Sequence, residues 1–181
     1  MKLRRVFGAM ENLMATGLKK LVHGKKLKTT GIPGLRFDTQ IITDGGEIAL
    51  GEKVRLSNRI SLTATDGGIM QIGDRVNLNR NCIFICRRRI KIDEGCSFGP
   101  NVVIYDHDHE FDTSGIQPGF KYGEVVIDAN CWIGAGVTIL RGTHIGAGCV
   151  IGAGAVVKGD IPAHSLVTGE RTLKIRPIED R

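Results

Sequence analysis

Six aliphatic residues in the second half of the chain, Ile127, Ile133, Ile139, Ile145, Ile151 and Val157, follow one another at intervals of six. An α-helix repeats near 3.6 residues and a simple strand at 2, so a sustained step of six predicts short strand, turn, short strand, stacked as a solenoid. The fifth member of each block is small or modest, Cys131, Val137, Thr143, Cys149 and Ala155, with Ile161 the exception, and glycines such as Gly134, Gly146 and Gly152 stand between. Carried backwards, the same ruler finds Leu50, Leu56 and Leu62, then Ile72, Leu78 and Phe84, then Ile92, Phe98 and Ile104. Sets of three predict a triangular coil, about five coils in all, and a prism about 24 Å tall at strand spacing. Joins between coils exceed six residues by 4 (62 to 72), 2 (84 to 92), 17 (104 to 127) and 0 (139 to 145), so every insertion falls at one corner. Loops extruded at one corner of a repeat stack are where such proteins place function.

A length of 181 residues suits one such domain with an appendage. The 25 glycines show no collagen period and belong to ordered turns. Cys82, Cys96, Cys131 and Cys149 each fall four residues after a ruler position, at the small inward site, and only Cys86 is out of phase. With no C-x-x-C pair they read as buried small hydrophobes, without disulfides or zinc, in a reducing compartment. No apolar run approaches the roughly 18 residues of a membrane span and no signal-peptide cleavage pattern is present, so the expected location is cytoplasmic. The expected organisation is a basic helical segment over 1–31, the repeat domain over 32–176 with a candidate active-site loop at 105–126, and a tail at 177–181.

Residues 2–22 follow another rule, because Leu3, Val6, Phe7, Met10, Leu13, Met14, Leu18, Leu21 and Val22 recur at three- and four-residue steps, predicting an amphipathic helix. Residues 1–31 carry eight Lys and Arg against Glu11 alone, +7, which leaves −1 for the rest of a chain of net charge +6. A nucleic-acid-binding domain carries its charge on the folded surface, so the nearly neutral body argues against that class. The helix is expected either to pack on its own prism or on another subunit, or to make peripheral contact with the inner face of a membrane.

Candidate chemistry lies in the 17-residue excess, which contains Tyr105-Asp106-His107-Asp108-His109-Glu110-Phe111-Asp112. Two imidazoles among four carboxylates suit a general-base site, a metal site or a solvated polar loop. His107 and His109 project to one side of an extended segment, and Asp112 adds an oxygen. A dependable third metal ligand is missing, so no metal is expected.

Phe98-Gly99-Pro100-Asn101-Val102, followed by Tyr105 and His109-Glu110-Phe111-Asp112, closely resembles a segment of the galactoside, maltose and related polysaccharide O-acetyltransferases. Cys131-Trp132-Ile133-Gly134, Ile151-Gly152-Ala153-Gly154 and Asp160-Ile161-Pro162 are similar to further motifs of that family, and the likeness covers roughly 48–176. It implies an all-β fold, a left-handed parallel β-helix with an N-terminal amphipathic α-helix, assembled as a homotrimer with active sites between prisms. It implies acetyl-CoA as acyl donor, a sugar or polysaccharide-precursor hydroxyl as acceptor, and no required metal. Carried over residue by residue, the family's catalytic histidine falls on His109, in H-x-x-D spacing with Asp112, and its acceptor-binding Asn on Asn79. Trp132, Ala135, Ala153 and Lys158 fall on positions along the acyl and pantetheine arm, and Arg176 on a basic position near the CoA phosphates. The chain departs from the pattern at Cys86-Arg87-Arg88-Arg89, where the family carries an acidic sugar-binding residue, and at Gly169-Glu170-Arg171. Alternative expectations are N-acetylation of an amino-sugar nucleotide and a non-catalytic β-helix scaffold.

Overall fold

A hexapeptide block holds only a short strand before the next corner, and outside one insertion the strands are two to four residues long. A computed structural model describes residues 2–169, with side chains over 7–169. After helix α1 (Lys2–His23) the chain winds as a parallel β-helix with three flat faces. The first face stacks Leu27–Thr29, Glu47–Leu50, Ile69–Ile72, Arg89–Ile92, Val125–Ile127, Thr143–Ile145 and Asp160–Ile161. The second runs from Arg55–Leu56 to Leu166–Val167, and the third from Gln40–Ile42 to Val156–Val157, with six strands each.

The six-residue ruler is the register of these faces. Leu50, Ile72, Ile92, Ile127 and Ile145 pair in one column, Leu56, Leu78, Phe98, Ile133 and Ile151 in the next, and Leu62, Phe84, Ile104, Ile139 and Val157 in the third. Every one of these side chains is buried, so the three columns form one core along the prism axis. Each fully buried aliphatic contributes about 1.5–3 kcal/mol of transfer free energy, gained once per face per coil.

Six coils and a fraction are present, where the aliphatic ruler predicted about five. The extra coil lies at the N-terminal end: Thr29 pairs with Leu50, Ile41 with Leu62, and buried Leu35 follows the bridge between Gly34 and Arg55. Residues 29, 35 and 41 keep the step of six, but a threonine in the first place hides the coil from an aliphatic count. At the other end Ile161 pairs with Ile145, so the step from Val157 is four residues and the last coil is two residues short.

The corners explain the composition. Between the first and second faces, Lys53, Arg75, Gly95, Asn130, Gly148 and His164 each adopt a positive φ between 55° and 73° in successive coils. This is the left-handed turn conformation that glycine and asparagine tolerate best. Gly134 answers a different need: a Cβ there would stand 2.6 Å from the amide nitrogen of Ala153 in the next coil. All five cysteines are free and buried. Burial pushes the Cys82 thiol up to about 11. Cys86, out of phase with the ruler, is buried because it ends a longer strand in register with Ala64.

Candidate active site

Between the third face and the first the joining steps are 9, 10, 8, 23, 6 and 4 residues from the first coil to the last. All variation in coil length therefore sits at one corner. The longest step forms an antiparallel hairpin, His107–Asp112 against Gly115–Tyr122, with His109 opposite Phe120 and an irregularity in register between His109 and Phe111.

Three polar anchors and one aromatic one fix this hairpin. At its base Asp106 is wholly buried. Its carboxylate accepts hydrogen bonds from the backbone N–H groups of Arg87 (2.9 Å), Arg88 (2.7 Å) and Arg89 (2.8 Å), and pairs with His107 Nδ1 at 2.9 Å. Three consecutive amides aimed at one carboxylate make an anion cradle, filled here by the protein itself. Arg141 Nε donates to Asp108 Oδ2 at 2.6 Å, tying the first strand to the next coil. At the tip Asp112 Oδ1 accepts from the Ser114 amide (2.8 Å), the Ser114 hydroxyl (2.6 Å) and Gln117 Nε2 (2.9 Å), which holds its carboxyl below the usual carboxylate range.

The fourth anchor is aromatic. The Phe120 ring lies 5.5 Å from the His107 ring and 4.6 Å from that of His109, and the Arg87 guanidinium stacks over it at 4.1 Å. The two histidines thus share one side of the strand, as their spacing predicted. Their states differ. The His107 side chain is 11% exposed and bonded to Asp106, while His109 is exposed with no side-chain hydrogen bond among the described residues. Sequence reading did not single out Asp106 or Phe120, because the partners that give them meaning come from the preceding coil, 17 to 19 residues before Asp106, or from the opposite strand.

Among the described residues no group of three or more His, Cys, Asp or Glu converges in a way that would hold a metal ion. The carboxylates near the histidines serve other partners: Asp106 the backbone cradle, Asp108 an arginine, Asp112 the turn.

Asn79 and Trp132 meet in a groove of about 350 Å³ on the second face, lined also by Arg55, Asn77, Ser97 and Phe98. Asn79 Oδ1 accepts from the Arg80 amide at 2.8 Å, and Trp132 is 59% exposed. Ala135 and Ala153 stack at the corner between second and third faces, both exposed, with the Gly154 amide donating to the Ala135 carbonyl at 2.8 Å. Lys158 is exposed directly after the third face. Arg176 lies outside the described residues. In a triangular prism the corner that bears the hairpin is opposite the face that bears Asn79 and Trp132. One chain therefore keeps His109 at one edge and that groove on the far side.

Residues 124–159 match the bacterial transferase hexapeptide family of six repeats. A putative acetyltransferase of Schizosaccharomyces pombe is 39% identical over 103 residues, covering 56% of this chain and 50% of its own length. The chain spans about half the length of the curated relatives it matches. A hexapeptide-repeat acetyltransferase from Vibrio cholerae, solved with acetyl coenzyme A, superposes with a TM-score of 0.60 at 28% identity over 76% of this chain and 73% of that one. A maltose O-acetyltransferase from Clostridium difficile gives 0.55 at 25% over 96% and 89%. The likeness that the motifs implied is thus borne out: in its repeats and in its fold the chain is similar to the hexapeptide-repeat acetyltransferases.

Proposed function

We propose that this protein is an acetyl-CoA-dependent O-acetyltransferase that modifies a hydroxyl of a sugar or polysaccharide precursor, with His109 as general base. The observation that carries the reading is the contrast between the two histidines. His107 has one ring nitrogen committed to a buried carboxylate, whereas His109 stands exposed, held through Phe120, with no side-chain hydrogen bond among the described residues. A general base needs a nitrogen open to the acceptor and a ring held still, and His109 meets both needs.

Acetyl-CoA supplies an activated acyl thioester and leaves as the free thiol. His109 accepts the proton of the acceptor hydroxyl as that oxygen bonds to the acyl carbon, and returns a proton to the departing sulfur, so the imidazole ends neutral as it began. The groove beside Trp132 suits the donor: an exposed aromatic gives an apolar wall, and small Ala135 and Ala153 leave backbone groups open to an amide-bearing chain. Lys158 and Arg176 would serve the arm and the phosphates, and Asn79 and Asp112 the acceptor. Because His109 and the Trp132 groove lie on opposite sides of one prism, the complete site is assigned to the cleft between two copies, in a homotrimer.

His109→Ala is expected to lower turnover by about 10²- to 10⁴-fold with acetyl-CoA binding retained, since proton transfer is lost and donor contacts are not. His107→Ala should act chiefly on hairpin stability. Steady-state kinetics beside calorimetric acetyl-CoA titration decides between them, and a reversed order would move the base to His107.

A further inference from the structure

We infer that α1 is a docking element for an anionic lipid surface. The helix carries two faces, and the prism uses the less apolar one. Glu11 pairs with Arg36 at 3.2 Å, Thr16 donates to the Pro33 carbonyl at 3.4 Å, and His23 Nδ1 meets the Thr43 hydroxyl at 3.0 Å. Ala15 is fully buried between them, and Lys19 is desolvated enough to lower its pKa. Glu11, Ala15, Lys19 and His23 recur at four-residue steps, with Thr16 beside Ala15, and mark the side on which α1 rests across the first coil.

The opposite side is left uncovered. Phe7, Met10, Leu13, Met14, Leu18 and Leu21 recur at three- and four-residue steps and are 53% to 83% exposed. Helices that seal a solenoid end bury their apolar stripe, so the reversed orientation requires that something else cover it. Ile32 and Phe37, on the loop next to the resting face of the helix, are also more than half exposed.

Charge selects the occupant. Lys20, Lys25 and Lys26 are exposed along the helix and the turn after it, and residues 1–31 sum to +7. A second copy seated on the same stripe would bring two such segments together, whereas a surface of acidic phospholipids neutralises both. At the C-terminal end of the stripe a cleft of about 650 Å³ is lined by Val22, His23, Lys25 and Lys26 from the helix end and by Ile41 to Asp44 from the prism, so two lysines face one carboxylate and the cleft keeps a net positive charge beside the stripe. No helix among the described residues is long and apolar enough to cross a membrane, so contact is made by lying in the interface. A helix of 22 residues lies along about 33 Å of that surface.

The test is co-sedimentation of the full chain with vesicles of phosphatidylcholine alone or mixed with phosphatidylglycerol, at low and high salt. Binding is expected to the mixed vesicles only, with release by salt. Leu13→Glu with Leu21→Glu, both exposed and away from the prism, should abolish binding without moving the unfolding midpoint. Lys20→Glu with Lys25→Glu and Lys26→Glu should weaken it by well over tenfold. Light scattering on each variant reads the rival: if the leucine pair changes the oligomeric state and wild type ignores anionic vesicles, the stripe is a contact between copies. Equal binding to neutral vesicles, or binding that survives the leucine substitutions, also overturns the proposal.

Discussion

From Val125 to Ile151 every ruler residue is buried and paired in register with the coils on either side, whereas from His107 to Tyr122 the apolar Phe111 and Ile116 turn outward, 54% and 75% exposed. The prism is held by repeated burial of aliphatic volume. The hairpin is held by a few directional contacts: the Asp106 cradle, the Asp108 to Arg141 pair, the Asp112 turn and the Phe120 stack. Each region should therefore fail in its own way, the prism through cavities and the hairpin through single polar losses.

The largest expected effect sharpens that division. Phe84, fully buried and 5.4 Å edge-to-face from Phe98, should cost about 3–5 kcal/mol of global stability when changed to Ala. Denaturant unfolding reads it, and activity per folded molecule should hardly change. Asp106→Ala should do the reverse, stripping the buried acceptor from three consecutive backbone amides and lowering local protection by about 2–3 kcal/mol. Hydrogen exchange at Arg87 to Arg89 checks this while the prism midpoint stays nearly fixed; a collapse of the whole fold would erase the distinction between the two regions.

The smallest effect is acid-dependent. Hydrogen bonds from Ser114 and Gln117 lower the Asp112 pKa, so its contribution to the turn is fully present above the ordinary unfolded carboxylate value of about 3.9. It is lost as pH falls through the lowered folded value. The Ser114 amide resonance should stay native-like at mildly acidic pH, shift only below about pH 4, and lose this transition in Asp112→Asn.

The contrast also explains what could be read from the chain. Burial periodicity is local, so the columns Leu50 to Ile145 and the single variable corner were legible, down to the positions of four inward cysteines. Thr29 hid the first coil because its register depends on pairing with Leu50, which composition does not encode. Ile161 stands out as the exception among the small fifth members because the last join is two residues short, which puts it in the column of Ile145. In the hairpin the residue types announced chemistry, but the roles of Asp106 and Phe120 depend on amides and rings brought from elsewhere. The amphipathic stripe of α1 was legible as a pattern, while the direction it faces is set by small and polar residues, Ala15 and Thr16, seating the helix on the first coil.

The central claim is acyl transfer to a hydroxyl, and product chemistry addresses it most directly. The full-length protein, incubated with acetyl-CoA and a panel of mono- and oligosaccharides, is followed by free thiol release and by product mass before and after mild alkaline hydroxylamine. The account predicts thiol release that depends on one class of acceptor, with a mass gain of one acetyl group that hydroxylamine removes, as an ester requires. Thiol release giving a product whose acetyl group survives that treatment would place the acyl group on nitrogen and contradict it.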